Sequence, residues 1–171
     1  PWDVRIVATD YYPVDRPDCV SELWPADQLD GLLGASDVVI LSLPLNESTK
    51  GLFDSERFAK MRRGSYLINV ERGAVVKETP LCEALASGHL AGAGLDVTEV
   101  EPLPSESLLW DDPKVMISPH VGAQSYRRVD DSTALAAINL KRYLSGQQVY
   151  NRVDKRLGFP HPSAVYRGQD N

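Results

Sequence analysis

Short apolar runs and helix-period stretches alternate along this chain. "VRIVATD" (Val4–Asp10) is rich in β-branched residues and stops at an acid, which predicts a strand. "CVSELW" is a weaker strand candidate, and "ADQLDGLLGAS" reads as a short helix ending near Gly34. "DVVILSL" (Asp37–Leu43) is nearly all apolar, and Pro44 ends it. "DSERFAKMRRG" has Asp54 in N-cap position and basic residues before Gly64, the charge order a helix favours. "SYLINV" (Ser65–Val70) is the next strand. In "LINVERGAVV" (Leu67–Val76) the apolar run is interrupted by Glu71, Arg72 and Gly73 before apolar residues resume. "TPLCEALASG" predicts a helix with Thr79 as N-cap, Pro80 at the first helical position and Gly88 as stop. "AGAGLDV" (Ala91–Val97) is a strand of small residues. A loop of acids and prolines (Glu99–Pro113) leads to the strand "KVMISP". The longest helical pattern runs from about Ser125 to Leu144, with Val129, Thr133, Ala136, Ala137, Leu140 and Leu144 on one stripe and Gly146 closing it. The tail "NRVDKRLGFPHPSAVYRGQDN" is polar, with loose packing expected at its end.

Strands alternating with helices predict an α/β fold whose parallel sheet is covered on both faces. In open sheets of this kind ligands bind at the carboxyl ends of the strands. Asp10, Pro44, Arg72, Asp96 and His120 each lie at or just beyond such an end. Five chemically suggestive residues at one edge favour a site over scatter.

Composition narrows the function. At 171 residues the chain is long enough for one domain with a substantial core. Its 43% hydrophobic and 25% charged residues are ordinary for a globular protein. A net charge of -6 gives no electrostatic case for nucleic acid or an anionic membrane as partner. No apolar run approaches membrane-span length, and no signal-peptide pattern opens the chain. Cys19 and Cys82 are far apart and outside any metal-ligand spacing, so neither a disulfide nor a metal site is expected and a cytoplasmic location is the default. The chain starts without Met and with a strand already under way, as a sequence entered in the middle would.

The edge residues suggest a chemistry. A guanidinium at Arg72 fits a carboxylate bidentately, and Gly73 lets the backbone turn sharply beside it; an ordinary surface arginine is the plain alternative. His120, directly after a strand and before a Gly-Ala turn, suits proton exchange with a hydroxyl near neutral pH. His89 and His161 read as structural. Glu101 could reach His120, favour its protonated form and hold the ring's orientation, while Glu99 and Glu106 read as solvated. Asp10 at a strand tip suits the ribose hydroxyls of an adenosine and disfavours a 2′-phosphate; a turn-forming Asp before Pro13 is equally consistent with the spacing.

Taken in order, "ASDVVILSLPLNEST", "LINVERGAVV", "AGAGLDVTEVEPLP" and "VMISPHVGAQS" closely resemble signature segments of the D-isomer-specific 2-hydroxyacid dehydrogenases, and the resemblance extends to about Asp154. It implies an incomplete Rossmann-like, doubly wound parallel sheet flanked by helices. It also implies hydride transfer between NAD(H) and a small 2-hydroxy or 2-oxo acid, in an enzyme that is homodimeric when intact. Arg72 would then hold the substrate carboxylate, His120 would be the acid/base and Glu101 its partner. Asp10 would bind the adenosine ribose. Pro44, Thr49, the backbone at Val70, Asp96, Gly122 and Ala123 would line the nicotinamide and its phosphate.

Two positions depart from the family pattern. Glu71 stands where a small residue is usual, and is expected to point away from Arg72 because adjacent residues at a strand end face opposite ways. Ser42 stands where many members have a histidine. The family's G-x-G-x-x-G turn, with its strand and helix, would precede Val4 and is not in these residues. The expected organisation is a partial dinucleotide-binding domain over 1–150, a tail over 151–171 and essentially no substrate domain. The absent strand would be the central one, so the first two dozen residues are expected to be displaced, disordered or paired with another copy. Such a chain alone is expected to be inactive or nearly so. The other readings are an NAD-sensing scaffold like the C-terminal-binding-protein corepressors, which resemble this family, and a pseudoenzyme fragment.

Overall fold

A computed structural model describes residues 3–168. The chain divides into two compact units, Pro1–His120 and Val121–Asn171. In the first, β1 (Val7–Asp10) pairs in parallel with β2 (Glu22–Pro25) as a two-stranded sheet. A 3-10 turn (Ala26–Gln28) leads into α1 (Leu29–Ala35). Four parallel strands then form a separate sheet in sequence order: β3 (Val38–Leu41), β4 (Ser65–Asn69), β5 (Leu90–Leu95) and β6 (Val115–Ile117). Between them lie α2 (Ser55–Lys60) and α3 (Glu78–Ala86).

Period-two patterning decides which side of the four-stranded sheet is dry. Val39, Leu41, Leu67, Ala93 and Leu95 face the core, where they meet Phe58 of α2, Leu81 and Leu85 of α3, and Leu33 of α1. Their neighbours face the other way. Val38, Ile40, Tyr66 and Met116 remain 48–76% exposed, so the expected cover over the second face is incomplete. Across that face Tyr66 and Ile68 lean over Gly92 and Gly94 of β5, where added Cβ atoms would lie 3.2 and 2.9 Å from them.

The N-terminal segment is ordered, contrary to one expectation, since residues 7–10 and 22–25 form a regular ladder. It is not fully paired either. Among the described residues β1 pairs with β2 alone and β3 with β4 alone, so each has an open edge.

Helix boundaries depart modestly from the sequence pattern. Asp54 caps α2 as expected, accepting from the Arg57 N–H at 3.1 Å, but the helix stops at Lys60. α3 begins one residue before Thr79, and its cap comes from a distant loop: the Glu99 carboxylate accepts from the Glu78 N–H at 2.7 Å. Glu99 is therefore a helix cap as well as the solvated acid expected, since it remains exposed.

The second unit contains α4 (Arg128–Leu144) and a short antiparallel pair, β7 (Val153–Asp154) with β8 (Phe159–Pro160). The predicted apolar stripe of α4 is not its buried side, for Val129, Leu140 and Leu144 are 59–76% exposed. The half-buried side of the helix is instead Leu135, Ile138, Asn139 and Arg142. Asn139 brackets Tyr150, donating to its carbonyl at 3.1 Å and accepting from its N–H at 2.8 Å. The Arg142 guanidinium lies over the Tyr150 ring, 4.1 Å from its centre. Tyr150 also packs on Tyr166. The tail is thus tied down as far as Tyr166, while its end, 169–171, where loose packing was expected, lies outside the described residues.

Candidate functional site

Parallel register brings the edge residues together. Leu41, Asn69, Leu95 and Ile117, the last residues of β3 to β6, are partners across the sheet in one row. Pro44, Val70, Arg72, Asp96 and His120 all follow from that row. Asp10 ends β1 in the neighbouring two-stranded sheet.

At the end of β4, Asn69 is 1% exposed and holds the turn that carries Arg72. Its side-chain oxygen accepts from the Glu71 N–H at 3.2 Å, and its amide donates to the Arg72 carbonyl at 3.1 Å. Its backbone carbonyl accepts from the Asp96 N–H at 2.9 Å, joining the ends of β4 and β5. Gly73 is required next: a Cβ there would lie 1.7 Å from the Thr98 carbonyl oxygen. The close approach of these backbones, not a left-handed turn, selects glycine. Arg72 is half exposed, and its Nη1 donates to the Glu71 carbonyl at 2.7 Å. The Glu71 carboxylate does not point away, since Oε2 lies 3.9 Å from that same Nη1. β4 ends at Asn69 and the chain bends at Glu71, so the strand alternation from which the opposite orientation was expected has already stopped there.

Asp96 is 6% exposed and organises the end of β6. Ser118 Oγ donates to its carboxylate at 2.6 Å, and the His120 N–H donates to its carbonyl at 2.9 Å. These bonds hold His120 at φ 54, in the left-handed region that a histidine enters at a cost of about 1–2 kcal/mol. Its Nδ1 is 3.0 Å from Glu101 Oε2, and Glu101 Oε1 accepts from the Thr98 N–H at 3.3 Å. With both carboxylate oxygens engaged, Glu101 favours a proton on Nδ1. That leaves Nε2 as the nitrogen for exchange with a ligand in the neutral ring.

The remaining candidates are held by local bonds. Thr49 Oγ1 donates to the Pro44 carbonyl at 2.6 Å and accepts from the Asn46 N–H at 2.8 Å, so these residues form one small loop. The Asp10 carboxylate accepts from the Tyr12 N–H at 3.0 Å, which makes it a turn former as well as a strand tip. Gly122 and Ala123 occupy a turn of the second unit closed by the Gln124 N–H donating to the Val121 carbonyl at 2.8 Å. Asn69, Ser118 and Thr98 were not singled out from the sequence. Asn69 had a signal, being the one polar residue inside the apolar run "YLINV"; Ser118 and Thr98 had none.

Among the described residues there is no group of three or more His, Cys, Asp or Glu that could hold a metal, and no helix long and apolar enough to cross a membrane.

A parallel α/β sheet with an arginine, an aspartate and a carboxylate-paired histidine on its carboxyl edge defines a class of nucleotide-dependent dehydrogenase-like domains. Residues 1–122 match the model of the D-isomer-specific 2-hydroxyacid dehydrogenase NAD-binding domain, and the chain belongs to that family. It is 44% identical over 129 residues to a glyoxylate/hydroxypyruvate reductase B from Pectobacterium carotovorum, covering 75% of this chain and 40% of that relative. The chain thus spans less than half the length of that curated relative. Among solved structures, a D-isomer-specific 2-hydroxyacid dehydrogenase from Xanthobacter autotrophicus in complex with NADPH is 33% identical, with a TM-score of 0.82 over 92% of this chain and 73% of the other. An NADPH-dependent glyoxylate/hydroxypyruvate reductase from Sinorhizobium meliloti in complex with NADP and sulfate is 34% identical, with a TM-score of 0.84 over 92% of this chain and 50% of the other. The Rossmann-like reading of the sequence is borne out.

Proposed function

We propose that these residues form part of an oxidoreductase that interconverts small 2-hydroxy and 2-oxo acids with a nicotinamide dinucleotide. The observation that carries this reading is the Glu101–His120 pair on the strand edge that also bears Arg72. Arg72 holds the substrate carboxylate and stabilises negative charge on the C2 oxygen. His120 gives a proton to that oxygen, or takes one from it, at Nε2. Glu101 keeps the ring turned for the exchange.

The residues present fit two ends of a dinucleotide. Asp10 offers a carboxylate at the carboxyl end of β1 for the adenosine ribose hydroxyls. Asp96, Pro44, Thr49 and the Val70 backbone are assigned to the nicotinamide end and its phosphate. The 171 residues contain no G-x-G-x-x-G turn for a pyrophosphate, so weak dinucleotide binding and little turnover are expected of this stretch alone. When bound, the nicotinamide accepts or donates the hydride. Asp10 supports NAD over NADP, because a 2′-phosphate beside its carboxylate would be repelled. Hydroxypyruvate and glyoxylate are the first substrates to test, given the names of the relatives. A homodimer in a reducing, cytoplasmic compartment completes the proposal; the unpaired Cys19 and Cys82 support the compartment.

The test is NADH and NADPH oxidation by the intact protein against a panel of 2-oxo acids. Turnover favouring NADH, with the preference narrowed in Asp10→Ala, is expected; NADPH preferred over NADH would remove the cofactor assignment. One observation favours a second reading, a dinucleotide-binding pseudoenzyme or corepressor-like scaffold: the contact of Glu71 with the clamp arginine. Saturable NADH binding without turnover of any 2-oxo acid would select it.

A further inference from the structure

We propose that Glu71 sets the charge selectivity of the Arg72 anion clamp, acting as a built-in competitor that admits singly charged 2-oxo acids and disfavours doubly charged ones. The proposal rests on Arg72 being the carboxylate clamp and goes beyond it by naming a specificity-determining neighbour. Two contacts carry it. Arg72 Nη1 donates to the Glu71 carbonyl at 2.7 Å, which anchors the guanidinium over its own neighbour's backbone. The Glu71 carboxylate Oε2 lies 3.9 Å from the same nitrogen, too far for a hydrogen bond but well inside the range of direct charge interaction. The turn that makes this arrangement is fixed from below by the buried Asn69, which accepts from the Glu71 N–H and donates to the Arg72 carbonyl. Both backbones are therefore held, and the two side chains share one small volume above the strand end.

An anion arriving at Arg72 meets a guanidinium whose charge is already partly offset. Both side chains are solvent-exposed, 56% for Arg72 and 39% for Glu71, so the competition is modest and screened by salt. An exposed carboxylate at this distance changes an equilibrium constant by about threefold to fivefold. Its repulsion of a ligand scales with the ligand's charge, so a dianion loses roughly the square of what a monoanion loses. The clamp thereby distinguishes substrates of the same shape by charge alone.

Oxamate and oxalate are nearly the same size and differ by one negative charge, which makes them suitable probes. Their affinities for the intact protein and its variants are measured by NMR titration of backbone amides around residues 69–73, a readout independent of turnover. Glu71→Gln keeps the side-chain shape and removes the charge. It is expected to tighten oxamate by about threefold to fivefold and oxalate by about tenfold or more, with both gains shrinking in high salt. Arg72→Ala, and the double variant, are expected to lose oxamate and oxalate alike. Equal tightening of both probes, or none, with Arg72→Ala still abolishing binding, would overturn the selectivity proposal and leave the clamp standing. Unchanged binding in Arg72→Ala, or no binding of either probe to any form, would overturn the clamp itself.

Discussion

Gly73 carries the sharpest steric constraint near the candidate site. Backbone meets backbone there, so no rotamer change can relieve an added methyl group 1.7 Å from the Thr98 oxygen. Gly73→Ala is expected to destabilise the chain by about 3 kcal/mol or more, read by urea denaturation, and to disturb the loop bearing Glu101. An unchanged midpoint would mean that the turn is not built this way. Asn69 makes the complementary case, since Asn69→Leu leaves the part-buried Glu71 N–H and Arg72 carbonyl without these partners. It should cost about 2 kcal/mol or more. The two cysteines should separate by reactivity. Burial, and then the nearby Glu78 and Asp112 carboxylates, raise the Cys82 thiol above its ordinary range, while Cys19 is exposed. Maleimide labelling followed by mass spectrometry should modify Cys19 first. At this scale the positions of Arg72 and His120 just past strand ends were legible, and so was the approach of the loop residue Glu101 to His120. The orientation of Glu71 was not, because β4 stops at Asn69 and the chain bends at Glu71 before the alternation reaches it.

Secondary-structure elements were legible where pattern and punctuation agreed. β3, β4, β5 and α2 fall where apolar runs and the Asp54 cap put them. The start of α3 was misjudged by two residues because its cap, Glu99, comes from a loop 21 residues away, which no local signal reveals. Asp54 supplies a pH test of a local cap. Its hydrogen bond from the Arg57 N–H, more than the charge of Lys77, holds its carboxyl below the ordinary value of 3.8. A lowered carboxyl contributes stability that is complete above the unfolded value and lost as pH falls through the folded one. The thermal midpoint of the chain should therefore fall more steeply below about pH 4 than that of Asp54→Asn, which should titrate more flatly there. Parallel curves would show that the cap contributes nothing. In α4 the apolar stripe was visible in sequence, but the half-buried side is Leu135, Ile138, Asn139 and Arg142 instead.

At the scale of the whole molecule, parallel register turns separate strand ends into one edge, and that convergence follows from the βα alternation alone. The exposure of the second sheet face did not follow from it. Val38, Ile40, Tyr66 and Met116 form an apolar surface beside the open edge of β3, a combination that favours dye binding and self-association. Replacing Val38 and Ile40 by Thr should lower the fluorescence of a bound hydrophobic dye and raise the concentration at which the chain aggregates. No change in either would argue that this face is covered in solution. Under the proposed function, the carboxyl edge is a 2-oxo acid site organised by Arg72 and His120. Its most direct test is kcat/KM for NADH-dependent reduction of hydroxypyruvate by the intact protein and its Arg72→Ala variant. A loss of about a hundredfold or more, with NADH affinity retained, is the predicted result. Turnover undiminished in Arg72→Ala would contradict it.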